Sequence, residues 1–225
     1  MNYLIGDSRV RGVKEFLSTV HVNEVRTRPG GKFEHMYQLV DELTYLHHGI
    51  DNERAHFYIW VGICNLTKRI KGNGYEEVIC SLDSAVTNRV RCQEELYKLA
   101  NHIKNQYGTP IFLPIYPMEL SKWNQHRLTT NRTRVLMYSE KYAEMQKKLE
   151  NEVTILNKQI IELNSNNGVR TPMIHKDFSH SRGKGRATPR YGELADGCHA
   201  SSLLNAKFKK SLMNAITKNS NILRS

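Results

Sequence analysis

The 225-residue chain reads as an α/β protein, a parallel sheet with helices on both faces, on three observations. Short apolar runs of strand length alternate with longer segments whose apolar residues recur every three or four positions. One run, residues 55–62, is almost continuously apolar (Ala55, Phe57, Tyr58, Ile59, Trp60, Val61), as a central parallel strand covered from both sides should be. The length suits one domain, residues 1–225, with a sizeable core.

The first strand, Tyr3, Leu4 and Ile5, stops at Gly6, Asp7 and Ser8 and runs into a helix with Val10, Val13, Phe16 and Leu17 on one face. A hydroxyl at a helix start stands beside unpaired backbone N–H groups and the positive end of the dipole, surroundings that suit a nucleophile and a developing oxyanion. The same tripeptide also reads as an ordinary turn with a helix cap. Residues 21–26 alternate as a half-buried second strand and end at Arg28, Pro29, Gly30 and Gly31, before a helix carrying Phe33, Met36, Leu39, Val40, Leu43 and Leu46.

After the third strand at 55–62, residues 75–107 show helical periodicity, with Val86, Val90, Leu96, Leu99 and Ile103 as its stripe. Residues 110–116 read as the fourth strand. The polar segment 117–133 that follows holds Trp123, His126 and Arg127, at the strand end where α/β sheets place ligand-contacting loops, and is either a substrate wall or a plain connection. A long helix over 135–163 carries Tyr138, Tyr142, Met145, Leu149, Val153, Leu156, Ile160 and Leu163. It either covers the sheet or offers a coiled-coil-like seam to a second copy, forming a homodimer. Asn166, Asn167 and Gly168 break it, and 169–174 supplies a fifth strand. A polar loop over 175–195 and a basic tail of about 203–225, with Leu203, Phe208, Leu212 and Ile216 on its helix, complete the chain.

Chemistry concentrates at two places. Asp196, Gly197, Cys198 and His199 put a carboxylate three residues from an imidazole, close enough for the acid to orient the base, and Ser8 completes a possible Ser-His-Asp set. His175 and His180 are rival bases. His199 is preferred because Asp196 lies near it and the residues after it begin a helix that would fix its orientation. Gly183 and Gly185 are no phosphate-binding fingerprint, having no strand before them and no helix after.

At these residues the sequence resembles the SGNH hydrolases, also called the GDSL esterase/lipase family. Gly6-Asp7-Ser8 is similar to the family's first block, and Asp196-Gly197-Cys198-His199-Ala200-Ser201 to its last, in the right order over nearly the whole chain. The resemblance implies a three-layer α/β/α, flavodoxin-like fold with a five-stranded parallel sheet ordered 2-1-3-4-5. It implies a serine esterase working through an acyl-enzyme on Ser8, His199 and Asp196, with an ester substrate, no cofactor and no metal. It also implies an oxyanion hole from the Ser8 and Gly30 backbone N–H groups, with Gly31 one register step away, and an asparagine side chain. The family's Gly-x-Asn-Asp block falls on Gly62, Ile63, Cys64 and Asn65, so Cys64 stands in the asparagine place. A thiol is a poor donor; either Asn65 swings in or the hole lacks one donor, at about 10²–10³ in rate. The alternative is a catalytically weak or inactive SGNH-fold module, including one carried by a virus or mobile element and associated with nucleic acid.

Arg9 and Arg11 follow the serine and would suit an acidic or phosphate-bearing substrate if they faced the pocket; otherwise they are solvated helix positions. Trp123 and His126 are the further substrate-side candidates. The net charge is +11, and residues 170–225 hold 11 Lys/Arg against 3 Asp/Glu, a basic tail suited to nucleic acid or another anionic surface, or simply to solvation. Four cysteines without Cys-x-x-Cys spacing, with Cys64 in an apolar strand and Cys92 in a helix, suggest reduced thiols and a cytoplasmic or nuclear setting, though a processed secreted form is also compatible. No apolar run reaches the ~18 residues of a transmembrane helix, and an early charge at Asp7 argues against a conventional signal peptide.

Overall fold

The computed structural model describes residues 1–15, 17, 22–46, 55–80, 85–130, 136–180 and 188–222. In chain order the elements are β1 (Asn2–Gly6), α1 (Arg9–Lys14), β2 (Glu24–Thr27), α2 (Phe33–Leu46), β3 (His56–Trp60), α3 (Ile63–Leu66), β4 (Lys68–Gly72) and β5 (Tyr75–Ile79). Then come α4 (Ala85–Gln106), β6 (Thr109–Phe112), α5 (Leu120–Thr130), α6 (Tyr142–Asn166), α7 (Ile174–Asp177), β7 (Ser179–His180), β8 (Thr188–Pro189) and α8 (Ser202–Ile222).

The main sheet is parallel, in the order β2-β1-β3-β6, as expected for its first four strands. Gly6 stands beside Thr27 and Trp60, and Ile59 beside Phe112, so the carboxyl ends of all four strands share one edge. Every residue of β3 is buried, because both faces are covered. Tyr58 and Trp60 meet α8 through Asn219 and Phe208, whereas Phe112 meets Phe33 of α2 in an edge-to-face contact. Helices α1, α7 and α8 pack together, as do α2, α4 and α6, giving three layers.

The expected fifth strand is absent among the described residues. Asn164 of α6 accepts the Phe112 N–H and donates to the Phe112 carbonyl, and Asn157 does the same for Ile115. Asparagine amides therefore satisfy the edge of β6 that another strand would have paired with. Within residues 169–174, read as that strand, the Val169 N–H donates to the Asn164 carbonyl and Asn219 pairs with both the N–H and the carbonyl of Arg170.

A second departure lies in residues 68–79, whose C-terminal part had read as the start of a helix. They form an antiparallel hairpin, β4–β5, turning at Asn73-Gly74, and α4 starts only at Ala85. Asn-Gly is the strongest two-residue hairpin signal and was the available clue. In α4, Leu96, Leu99 and Ile103 are buried as expected, but Val90 is exposed. Cys64, read as part of a strand, sits on α3. Segment 117–133 is largely helical, as α5.

The apolar seam of α6 is buried within the chain, from Tyr142 through Leu149 and Leu156 to Leu163, which favours the sheet-covering reading of this helix over the dimer seam. In α8, Leu204 takes the buried place expected for Leu203, which is exposed. Phe16, His21, residues 131–135, 181–187 and 223–225, and the side chains of Leu46, Val86 and His180, lie outside the described residues. Among the described residues no helix is long and apolar enough to cross a membrane.

Candidate active site

Gly6 ends β1 so close to its neighbour that a Cβ there would sit 2.2 Å from the Trp60 carbonyl oxygen; only glycine lets the chain turn at this point. Asp7 then donates its N–H to that same carbonyl at 3.1 Å. Its buried carboxylate accepts the Arg9 N–H at 3.0 Å, so the cap of α1 comes from Asp7. Ser8 makes no side-chain cap bond, which separates the two readings of the tripeptide. Its hydroxyl instead meets His199 Nε2 at 2.8 Å.

His199 Nδ1 lies 2.6 Å from Asp196 Oδ2, while Asp196 Oδ1 accepts the N–H groups of Cys198 and His199, each at 2.8 Å. Burial pushes the Asp196 carboxyl up, but the bonds from the His199 ring and from the two N–H groups outweigh it and hold the group at about 2. The carboxylate is thus ionised at neutral pH. This fixes the ring proton of a neutral imidazole on Nδ1 and leaves Nε2 to accept from Ser8.

The loop carrying both groups is held by contacts from several elements. Leu194 and Ala200 form an antiparallel bridge, and Gly197 adopts φ +91, where a Cβ would fall 2.5 Å from the Trp123 nitrogen and 2.8 Å from the Glu119 oxygen. The Glu119 N–H donates to the Gly197 carbonyl at 2.7 Å, Lys122 Nζ to that of Leu194 at 2.6 Å, and the Tyr116 hydroxyl to that of Cys198 at 3.1 Å. Tyr116 and Lys122 were not singled out from the sequence. Their signal was place: Tyr116 ends the fourth strand as read from the sequence, and Lys122 lies in the polar segment after it.

Trp123 flanks the site, its ring 5.7 Å from that of His199 and inclined to it by 65°, whereas His126 is exposed one turn further along α5. Arg11 is exposed on α1. Arg9, expected to face either substrate or solvent, does neither: it is 3% exposed and held by Asp7. His175 lies on α7 against α8, and burial, helped by Lys176, pushes it down to about 4. The ring that bonds Ser8 is that of His199.

At the expected oxyanion positions, the turn after β2 is tied to the end of β1 by the Arg28 N–H, which donates to the Gly6 carbonyl at 2.9 Å. Gly30 sits in this turn with φ +67 and open space around it; the Gly31 N–H is taken by the Arg28 carbonyl. Asn65 is turned to α2, where its oxygen accepts the Phe33 N–H at 3.1 Å and its amide donates to Glu34 at 3.2 Å. That commitment corrects the expectation that it swings toward the serine. Cys64 is half-buried near Asp7, and burial, with that carboxylate adding, pushes its thiol up to about 11, so it is not a thiolate at neutral pH.

Solved structures of the same architecture cover nearly the whole chain. A Bacteroides fragilis protein assigned as an acylhydrolase superposes with a TM-score of 0.61 at 12% identity, covering 97% of this chain and 87% of that one. A Veillonella parvula member of the lipolytic G-D-S-L family gives 0.58 at 10% identity, with 96% and 98% covered. A variant of an acetyl-xylooligosaccharide esterase from Geobacillus gives 0.56 at 11% identity, with 96% and 93% covered. The chain has the SGNH-hydrolase fold. No protein-family model and no curated protein sequence matches it. Within that fold, Ser8, His199 and Asp196 meet at the carboxyl edge of the sheet, where open α/β sheets place their ligands.

Proposed function

We propose that the protein is a serine acyl hydrolase that cleaves an ester through an acyl-enzyme on Ser8. His199 Nε2 takes the Ser8 proton as Oγ attacks the ester carbonyl, and Asp196 holds the imidazolium that forms. The backbone N–H groups of Ser8 and Gly30 receive the oxyanion. Without the Asn65 amide the hole is one donor short, a deficit of about 10²–10³ in rate, which slows an esterase without abolishing it. Collapse of the tetrahedral intermediate returns the proton from His199 to the leaving alcohol; water, activated by the same nitrogen, then frees the acid and Ser8. Trp123 supplies an apolar wall beside His199 for one side of the substrate, with the exposed His126 ring next to it.

The observation that carries this reading is the unbroken hydrogen-bond chain Ser8–His199–Asp196, at 2.8 and 2.6 Å, in an SGNH fold. Short-chain p-nitrophenyl esters and a fluorophosphonate probe test it. The protein should turn over the esters and be labelled on Ser8, and Ser8→Ala should lose labelling and about 10³-fold or more of kcat. Turnover that Ser8→Ala leaves unchanged would overturn the reading.

A further inference from the structure

Arg9, next to the serine, is sealed in the protein. Its guanidinium grips Asp7 at two points, Nε to Oδ1 at 2.9 Å and Nη2 to Oδ2 at 2.5 Å, and both side chains are almost wholly buried. The guanidinium carbon lies 5.8 Å from the Trp60 ring centre and 5.4 Å from that of Tyr116. Tyr116 in turn donates to the Cys198 carbonyl, and the Cys198 N–H donates to Asp196. Contacts therefore run without a gap from the residues on either side of Ser8 to those beside His199. An internal ion pair is a poor source of stability, since apolar residues of similar volume often replace one at no cost, so stability alone does not account for a buried cation here.

We propose that Arg9 is a positioning residue for the reaction: it neutralises Asp7 and braces Tyr116, so that Ser8 Oγ and His199 Nε2 stay aligned. The inference rests on the acyl-hydrolase reading. Without Arg9, an unpaired carboxylate stands one residue from the nucleophile, where it opposes the negative charge developing on the substrate oxygen in a poorly screened setting. Lysine offers a point charge without the two-pronged fork, so it should compensate in part.

The test compares wild type, Arg9→Met, Arg9→Lys and the double variant Asp7→Asn with Arg9→Met. It uses p-nitrophenyl acetate kinetics, near-ultraviolet circular dichroism for folding, and the downfield proton NMR signal of the His199–Asp196 bond. In folded Arg9→Met, kcat should fall about 10²-fold with KM within about threefold, and the double variant should recover about tenfold, with Arg9→Lys between. The downfield signal should weaken in Arg9→Met and return in the double variant. With an active wild type, Arg9→Met within about threefold of it in kcat, or a double variant no faster than the single, overturns the proposal. If wild type itself does not turn over, the acyl-hydrolase reading fails and the NMR signal decides: unchanged in Arg9→Met overturns positioning, lost and regained supports it. If Arg9→Met does not fold, Arg9→Lys and the double variant carry the comparison with wild type under the same criteria.

Discussion

Asp196→Asn preserves the shape of the His199 loop but replaces a carboxylate that only accepts with an amide that can favour the wrong imidazole tautomer. On the proposed mechanism kcat should drop about 10³–10⁴-fold while the melting temperature changes little, which steady-state kinetics and thermal unfolding check together. The pH behaviour of this carboxylate has a definite sign. Its folded value, about 2, lies below the ordinary 3.8, so its contribution to stability is complete above 3.8 and is lost as pH falls through about 2. Any decline in activity on acidification above that window therefore belongs to a group other than Asp196. Gly197→Ala acts by a different route. A Cβ at φ +91, aimed at the backbone of Trp123 and Glu119, must push the loop off α5, so both activity and melting temperature should fall, whereas Gly192→Ala, where a Cβ meets nothing, should leave both near wild type.

Between elements, the recurring device is a buried asparagine that pairs with both backbone groups of one residue: Asn124 with Val78, Asn157 with Ile115, Asn164 with Phe112 and Asn219 with Arg170. Each imitates a neighbouring strand at a place where the sheet or a loop would otherwise end in unpaired polar groups. Asn164→Ala strands the Phe112 N–H and carbonyl and should cost about 2–4 kcal/mol, readable as a shift in the urea midpoint, with kcat of the folded protein near wild type because the Asn164 side chain bonds Phe112 and Thr171 and none of Ser8, His199 and Asp196. The hairpin is tied in similarly. Asn124 takes the edge of β5 at Val78, while buried Glu77 accepts the N–H groups of Met137 and Tyr138 and the Tyr142 hydroxyl, so this carboxylate of β5 points inward.

For the molecule as a whole, mild acid should be destabilising. Burial, with the positive N-terminus adding, pushes His56 down to about 4, and burial with Lys176 does the same to His175, both from 6.5. The unfolded chain therefore binds more protons than the folded one between those values, so stability is full above 6.5 and declines as pH falls toward 4. Urea midpoints measured across that interval should fall with pH, and His56→Gln should flatten the decline. Most of the +11 charge lies in residues 170–225, which hold 11 Lys/Arg against 3 Asp/Glu. On α8, Lys207 pairs with Glu193, while Lys210 and Lys218 are exposed. Periodicity determined the parallel α/β architecture and the burial of β3, because alternating apolar runs report which faces must leave water, and the order of the first four strands was implied by the family resemblance of the Gly6-Asp7-Ser8 and Asp196–His199 blocks. The pairing of Asp196 with His199 was legible too, being local. What only the tertiary structure decided is whatever depends on atoms distant in sequence: that Ser8 meets a ring 191 positions away, that Asn65 serves α2, that side-chain amides replace a fifth strand, and that Arg9 is buried. A hydrophobic pattern records a residue's preference for burial. It carries nothing about which partner satisfies a polar group once inside, and that choice follows from the register of the packed elements.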